Sequence, residues 1–338
     1  MKAYQIRSAV FGLALGLAAA VNAQSGVVTT APTGEIKGTE PLILDLSRFQ
    51  KEKFISNGKT NASWQTVVGR QVFDGVPFQI EGRGCVYGNK MGPEKRGETN
   101  TNPDFIGIQV GRKFVELHLL HVTQYADVEG QEIARIRLNY ADGTKHEFPI
   151  LFGGHVRDWH RMPSEEKELL TDPNTKIVWR APGVPRIKST LRLFKTVLAN
   201  PHPEKVVGTM DVVSSKHLAA YDLIAATVAN PDAGRLVTPP RPPDGPERQF
   251  DGALTVKVTE RGSGKPVAGA LVDPTLDVDE VSVIAIPVLT SATGEGVIHY
   301  PVQRATRVAV SVEKEGMDTK GATAELESRP PCVACASS

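Results

Sequence analysis

The sequence predicts an all-β protein, and three observations carry that prediction. Apolar residues recur at every second position in many short runs. Turn signals rich in Gly, Pro and Asp separate those runs. In one place the pairing register of a hairpin can be derived outright. Between Ile133 and Ile150, Ala134, Ile136, Leu138 and Tyr140 alternate with Arg135, Arg137 and Asn139. After Asp142-Gly143 the alternation resumes with His146, Phe148 and Ile150. A two-residue Asp-Gly turn would pair Leu138 with Glu147 and mix the two faces. A three-residue loop, Ala141 to Gly143, pairs Ile136 with Phe148 and Ala134 with Ile150, and sets Arg137 opposite Glu147. Such a loop wants its last residue in the left-handed region, which Gly143 adopts without penalty.

Met1 to Ala23 has the layout of a secretory leader. Lys2 and Arg7 give a basic start, an apolar stretch runs from Ala9 to Val21, and Val21-Asn22-Ala23 offers a small-residue cleavage site. The stretch is shorter than the ~18 residues of a spanning helix. A retained N-terminal anchor is the competing reading. No later segment could span a membrane, and no cysteine follows the cleavage site to accept a lipid. The expectation is therefore a secreted or periplasmic chain with no membrane span after leader removal, opening on a flexible segment over residues 24–40. Its 39 basic and 38 acidic residues nearly balance and form no basic stripe, so nucleic acid is not an expected partner. With 3 cysteines in 338 residues, the cores must hold by burial rather than by a disulfide framework.

Strand signals follow one another from Pro41 to Asn230. Leu42 to Leu44, Val72-Phe73 and Val76 to Ile80 come first. Ile106 to Val110, Phe114 to Val122, the hairpin, Lys176 to Trp179, Leu191 to Leu198 and Lys205 to Val213 follow. Ser164 to Leu170 is a short helical candidate, with Glu165 and Glu166 suited to a helix start. Ser214 to Val228 reads two ways: Leu218, Tyr221, Ile224 and Ala225 have helical spacing, while Leu223 to Val228 suits a last strand. Together these elements predict a larger, jelly-roll-like β-sandwich over residues 41–230. Pro231, Pro239, Pro240, Pro242, Pro243 and Pro246 then forbid regular pairing, and residues 231–249 read as an extended linker at ~3.1 Å per residue. Beyond it, Leu254, Val256 and Val258 alternate with Thr255, Lys257 and Thr259, and Arg261 to Lys265 makes a turn. Pro266 to Val272 restarts the chain, and Val281 to Val288, Gly296 to Tyr300 and Arg307 to Val312 complete a second, smaller sandwich over residues 250–318. Residues 319–338 read as a polar tail.

Two resemblances join this reading. Gly264-Lys265-Pro266-Val267-Ala268-Gly269-Ala270-Leu271-Val272, then Thr293-Gly294-Glu295-Gly296, then Glu315-Gly316 resemble the carboxypeptidase regulatory-like domains. That resemblance implies a transthyretin-like (prealbumin-like) fold and a non-catalytic accessory role. Its middle loop departs from the usual short form, since Asp273 to Glu280 adds acidic residues. The larger segment resembles the galactose-binding-like β-sandwiches of secreted bacterial multidomain proteins. The likeness lies in Phe73 to Phe78, Leu117 to His121, Tyr140 to Thr144, Val156 to Trp159 and Asn200 to Pro203. It implies a carbohydrate-binding-like fold and transfers no individual sugar contact.

The candidate chemistry is sparse. His155, Asp158, Trp159 and His160 form a polar-aromatic cluster after Gly153-Gly154. An indole face can cover the C–H patches of a sugar while flanking polar groups fix hydroxyls, so these four are the candidate ligand-binding residues. The competing reading is a loop whose Trp caps the sandwich core. His118 and His121 lie three apart, which on a strand sends them to opposite faces, so they read as core histidines and not as one metal site. No metal or cofactor is expected. Asp127, Glu129, Asp142 and the Glu98 to Asp104 loop are the oxygen donors on which a Ca²⁺ ion would draw, though without EF-hand spacing. Cys332 and Cys335 lack a helix N-terminus for redox work and further ligands for zinc, which leaves a local disulfide or an intermolecular link. Cys85 is the odd cysteine and reads as a buried small side chain. Asn61-Ala62-Ser63 is a glycosylation sequon, relevant only in a host that uses it. H-E-x-x-H, G-x-S-x-G and the zinc-carboxypeptidase H-x-x-E are missing, and Gly262 to Lys265 runs into Pro266 rather than the Ser or Thr of a phosphate loop. The leading expectation is a non-catalytic extracytoplasmic protein that binds a glycan or an envelope partner. A hydrolase gathering His155, Asp158 and a distant carboxylate is the first alternative, and a structural cell-envelope scaffold the second.

Overall fold

The computed structural model describes residues 3–6, 40–56, 59–60, 64–90, 101–165, 170–230, 252–260, 263–278, 281–300, 305–314 and 320–325. These residues form an all-β protein with almost no helix. The leader beyond residue 6, the lead-in to residue 39, the sequon, the proline-rich stretch 231–249 and the Cys332/Cys335 pair lie outside the described residues. Most of the Ser164 to Leu170 segment does too.

Two sheets enclose the larger core. One has four strands in the order Asp104–Arg112, Val207–Ser214, Glu132–Tyr140 and Lys145–Leu151. The other has nine, and its spine runs His160–Arg161, Thr190–Ala199, Glu116–Gln124, Ala220–Ala229, Gly82–Val86 and Glu52–Lys53. The chain passes repeatedly between the two sheets, and Ile108, Ile136, Leu138 and Met210 of the first share one buried cluster with Leu119, Leu193 and Leu223 of the second. That shared interior is what makes the pair a sandwich.

The derived hairpin register is the one observed. Ala134 pairs with Ile150, Ile136 with Phe148 and Arg137 with Glu147, and Gly143 has φ +84°. Arg137 Nε donates to Glu147 Oε1 at 2.6 Å across the pair. Of the two readings of residues 214–228, the strand is correct. Ala220–Ala229 is a ten-residue strand buried along its whole length. Its mostly apolar run is that of a central strand covered on both faces. It mimics helical spacing because its two polar members, Asp222 and Thr227, are both buried, so neither marks a wet side. Phe54, Trp64, Val67, Phe78 and Ile80 of the chain's early part belong to the same cluster, and Val76–Ile80 lies against this strand.

A second, separate buried cluster gathers Val256, Val258, Val272, Leu276, Val283, Ile298, Val308 and Val310. Two expectations are corrected here. Asp273 to Glu280 is not an acidic loop throughout, because Leu271–Val278 is a strand whose residues alternate strictly between buried and half-buried. Val272, Pro274, Leu276 and Val278 point inward and Asp273 and Asp277 outward, a period-2 pattern disguised by its proline. The tail does not begin at residue 319 either, since Lys320–Glu325 pairs antiparallel with Ala305–Glu313. Small residues such as Ala322 and Ala324 give such a strand little hydrophobic signal. Ala3–Ile6 pairs in parallel with Lys257 to Glu260.

Candidate functional site

One end of the larger sandwich carries a cavity of about 210 Å³. Gln124, Tyr125, Ala126, Phe152, Asp158, Trp159, His160, Met162, Ser164 and Glu165 line it, and Ala285 and Ile286 complete the wall. The site exists because two chain segments meet where the Glu116–Gln124 strand ends. Thr123 N–H donates to Arg157 O at 3.1 Å, and Trp159 N–H donates to Thr123 O at 3.0 Å, so residues 157–159 run alongside the strand end. Gly153, at φ +75°, turns the preceding loop, which closes through Gly153 N–H on Val156 O at 2.9 Å. A Cβ at this glycine would run into the Glu129 carboxylate. From the other side, Arg192 Nε donates to Asp158 O at 2.8 Å and Arg192 N–H to Trp159 O at 2.9 Å.

Tyr125 is the strained member of the wall. It has φ +70°, a region that bulky side chains rarely adopt. Thr123 Oγ1 holds it by donating to Tyr125 O at 2.9 Å, and its ring packs against Cys85 and Ala220. The strained backbone turns Tyr125 N–H onto the Asp158 carboxylate. His160 N–H also donates to Asp158 Oδ1, at 2.7 Å.

Burial dominates the electrostatics of Asp158 and pushes its carboxyl up to about 7, with neighbouring Glu165 acting the same way. The two backbone donors and Arg192 pull in the opposite direction and do not cancel it. Asp158 nevertheless keeps part of its surface open in the cavity, being half-buried by accessible area. Glu165 is differently placed: Arg192 Nη2 donates to both of its oxygens, at 2.8 and 2.6 Å, and Arg157 lies 3.8 Å away. Arg157 is itself clamped to Glu129 at 2.5 and 3.1 Å. Asp158 is thus the cavity carboxylate that no side-chain cation neutralises by direct contact among the described residues.

The structure brings together three of the four residues singled out in the sequence. Asp158, Trp159 and His160 share the cavity wall, whereas His155 is not in it. The His155 ring is used elsewhere, accepting from Leu151 N–H at Nδ1 (2.9 Å) and meeting Asp172 through Nε2 at 2.8 Å. Trp159 serves the core as well as the cavity. Trp64 stacks on it at 5.7 Å and 9°, and the Arg83 guanidinium lies 5.4 Å from its centre. Little of its face remains open, so the indole forms part of a wall and is not a free platform. His160 Nδ1 is 2.8 Å from Ser189 Oγ, and burial lowers its pKa to about 4, so the ring is neutral at ordinary pH.

Sequence reasoning missed Gln124, Tyr125, Met162, Ser164 and Glu165. Their one advance signal is position, just after a strand and just after the cluster. His118 and His121 are core residues: His121 bridges Tyr221 Oη (3.0 Å) and Thr196 Oγ1 (2.7 Å), and His118 meets Glu116 at 3.0 Å. Cys85 is buried and unpaired. Asp127 accepts from Ala219 N–H and pairs with His217, Glu129 pairs with Arg157, and Asp142 pairs with Lys205, so the three carboxylates lie in three different contacts. Among the described residues, no group of three His, Cys, Asp or Glu side chains is gathered for a metal ion, and no helix is long and apolar enough to cross a membrane. No known protein family, curated protein or solved structure matches the chain.

Proposed function

We propose that this chain is a non-catalytic binding protein of the cell exterior that holds a glycan-type ligand in the 210 Å³ cavity. The observation that carries the reading is the cavity itself, with Asp158, Trp159 and His160 in its wall beside Gln124 and Ser164. An apolar lining interrupted by a few convergent polar groups is the usual composition of a small-ligand site. The volume lies below the ~300–1,000 Å³ of drug-sized sites and suits one ring of a longer chain. In the same reading residues 41–230 are a galactose-binding-like domain and 231–249 a linker. The segment from residue 250 through the strand ending at Glu325 is a carboxypeptidase regulatory-like accessory module that adds Ala285 and Ile286 to the cavity wall. Support for two domains comes from the two separate buried clusters, and support for export comes from the leader-like first residues.

A glycan array probed with the full chain tests the reading. Ala126→Leu, which fills part of the cavity from its wall, is the matched control. Binding that this variant abolishes supports the reading, and a blank array removes it. The hydrolase alternative has one observation in its favour, the raised carboxyl of Asp158, which is the property of a general acid near neutral pH. Against it, His155 lies outside the cavity wall and Glu165 is fixed by arginine. Release of a chromophore from aryl glycosides, lost in Asp158→Asn, would favour this alternative over plain binding.

A further inference from the structure

Resting on the glycan reading, we infer that the cavity selects an amino sugar with a free ammonium group, bound by the Asp158 carboxylate. A cation gains from a carboxylate that no side-chain cation contacts directly among the described residues, and Asp158 offers one in the cavity wall. The rings of Tyr125, Phe152 and Trp159 already face Lys90, Arg157 and Arg83 and serve as walls only. The cations nearest Asp158 each have an acidic partner of their own, and of them Arg192 still draws on its carboxyl. Arg192 is held by Glu165, and Arg157 by Glu129. Arg83, beyond Trp159, is held by Glu52 and by Asp222 at 3.3 Å. Lys90, 6.0 Å from the Tyr125 ring, pairs with Asp273 at 2.6 Å. His160 is neutral.

The strained backbone of Tyr125 also finds a use here. It directs an N–H at Asp158 and so keeps the carboxylate oriented before any ligand arrives, which lowers the ordering cost of binding. Gln124, whose Nε2 donates to Asp222 at 3.2 and 3.0 Å, presents its amide oxygen as the group able to meet a hydroxyl in the same wall. An uncharged sugar would leave Asp158 without a counter-charge, and an N-acetylated one would set a bulkier neutral group against it.

Isothermal titration of the full chain with glucosamine, glucose and N-acetylglucosamine near pH 7 tests the inference. Glucosamine is expected to bind at least about tenfold tighter than either neutral sugar, the worth of one charge-assisted contact. Asp158→Asn should erase that preference while keeping its far-ultraviolet circular dichroism. Affinity for glucosamine should also fall about tenfold between pH 7 and about pH 5.5 as Asp158 takes up its proton. Equal binding of all three sugars, or a preference that survives in Asp158→Asn, overturns the ammonium assignment and leaves the glycan reading standing. A glycan array positive for uncharged glycans alone does the same. A blank array with no sugar bound in solution overturns both.

Discussion

Replacing Asp158 by Asn should stabilise the empty protein above neutral pH, and the size of the effect follows from the site. Asp158 has a carboxyl pushed up to about 7 from an ordinary 3.8. At ~1.36 kcal/mol per unit, a gap of about three units costs ~4 kcal/mol once the group is ionised. Solvent in the open cavity reduces that to ~2–4 kcal/mol. Because the folded value is raised, the folded state holds the proton more tightly than the unfolded chain. The group's contribution is therefore fully present below about pH 4 and is lost as pH rises through about 7. Asn cannot ionise but replaces one acceptor with a donor, so one of the two backbone N–H groups loses its partner at ~1 kcal/mol. Urea unfolding at pH 5 and pH 8 decides the matter. The variant should match wild type to within about 1 kcal/mol at pH 5 and be more stable, by ~1–3 kcal/mol, at pH 8. A variant equally destabilised at both pH values would refute the claim that burial strains this carboxylate.

Other perturbations follow from the same contacts. Trp64→Ala removes the ring stacked between Phe54 (4.1 Å), Trp159 and Trp179, and should cost ~3–5 kcal/mol in urea unfolding. A loss below about 1 kcal/mol would mean that the aromatic stack is not packed. Arg83→Met leaves Asp222 buried without its cation and should cost ~3–5 kcal/mol, largely recovered by adding Asp222→Asn. His121, whose pKa burial lowers to about 3, should make the protein lose stability as pH falls below about 6.5, and His121→Leu should flatten that arm of the profile. Gly153→Ala forces φ +75° on an L residue and sets a methyl against Glu129, so a loss of ~1–3 kcal/mol is expected in thermal unfolding, with Arg157 losing its clamp.

The fold was legible wherever one face of a strand is wet. Arg135, Arg137 and Asn139 mark the outward positions of their strand, and Asp142-Gly143 fixes its loop, so even the pairing could be derived. Legibility failed where polarity gives no phase. Ala220–Ala229 is buried on both sides, and Leu271–Val278 hides its alternation behind Pro274 and two aspartates. The cavity was half legible. Asp158, Trp159 and His160 announce themselves by residue type, but Tyr125 matters through a backbone angle and Glu165 through its grip on Arg192, which lies 27 positions along the chain. His155 misled because neighbours in sequence around a tight Gly153 turn need not point into the same space. Side-chain direction there is set by the bonds to Leu151 and Asp172.

The most direct test of the account is a map of backbone amide chemical shifts on the full chain as glucosamine is added. Saturable changes concentrated on Gln124 to Ala126 and on Asp158 to Glu165 are expected, with the saturating concentration raised about tenfold in Asp158→Asn. Changes that do not saturate, or that cluster away from this cavity, would contradict it.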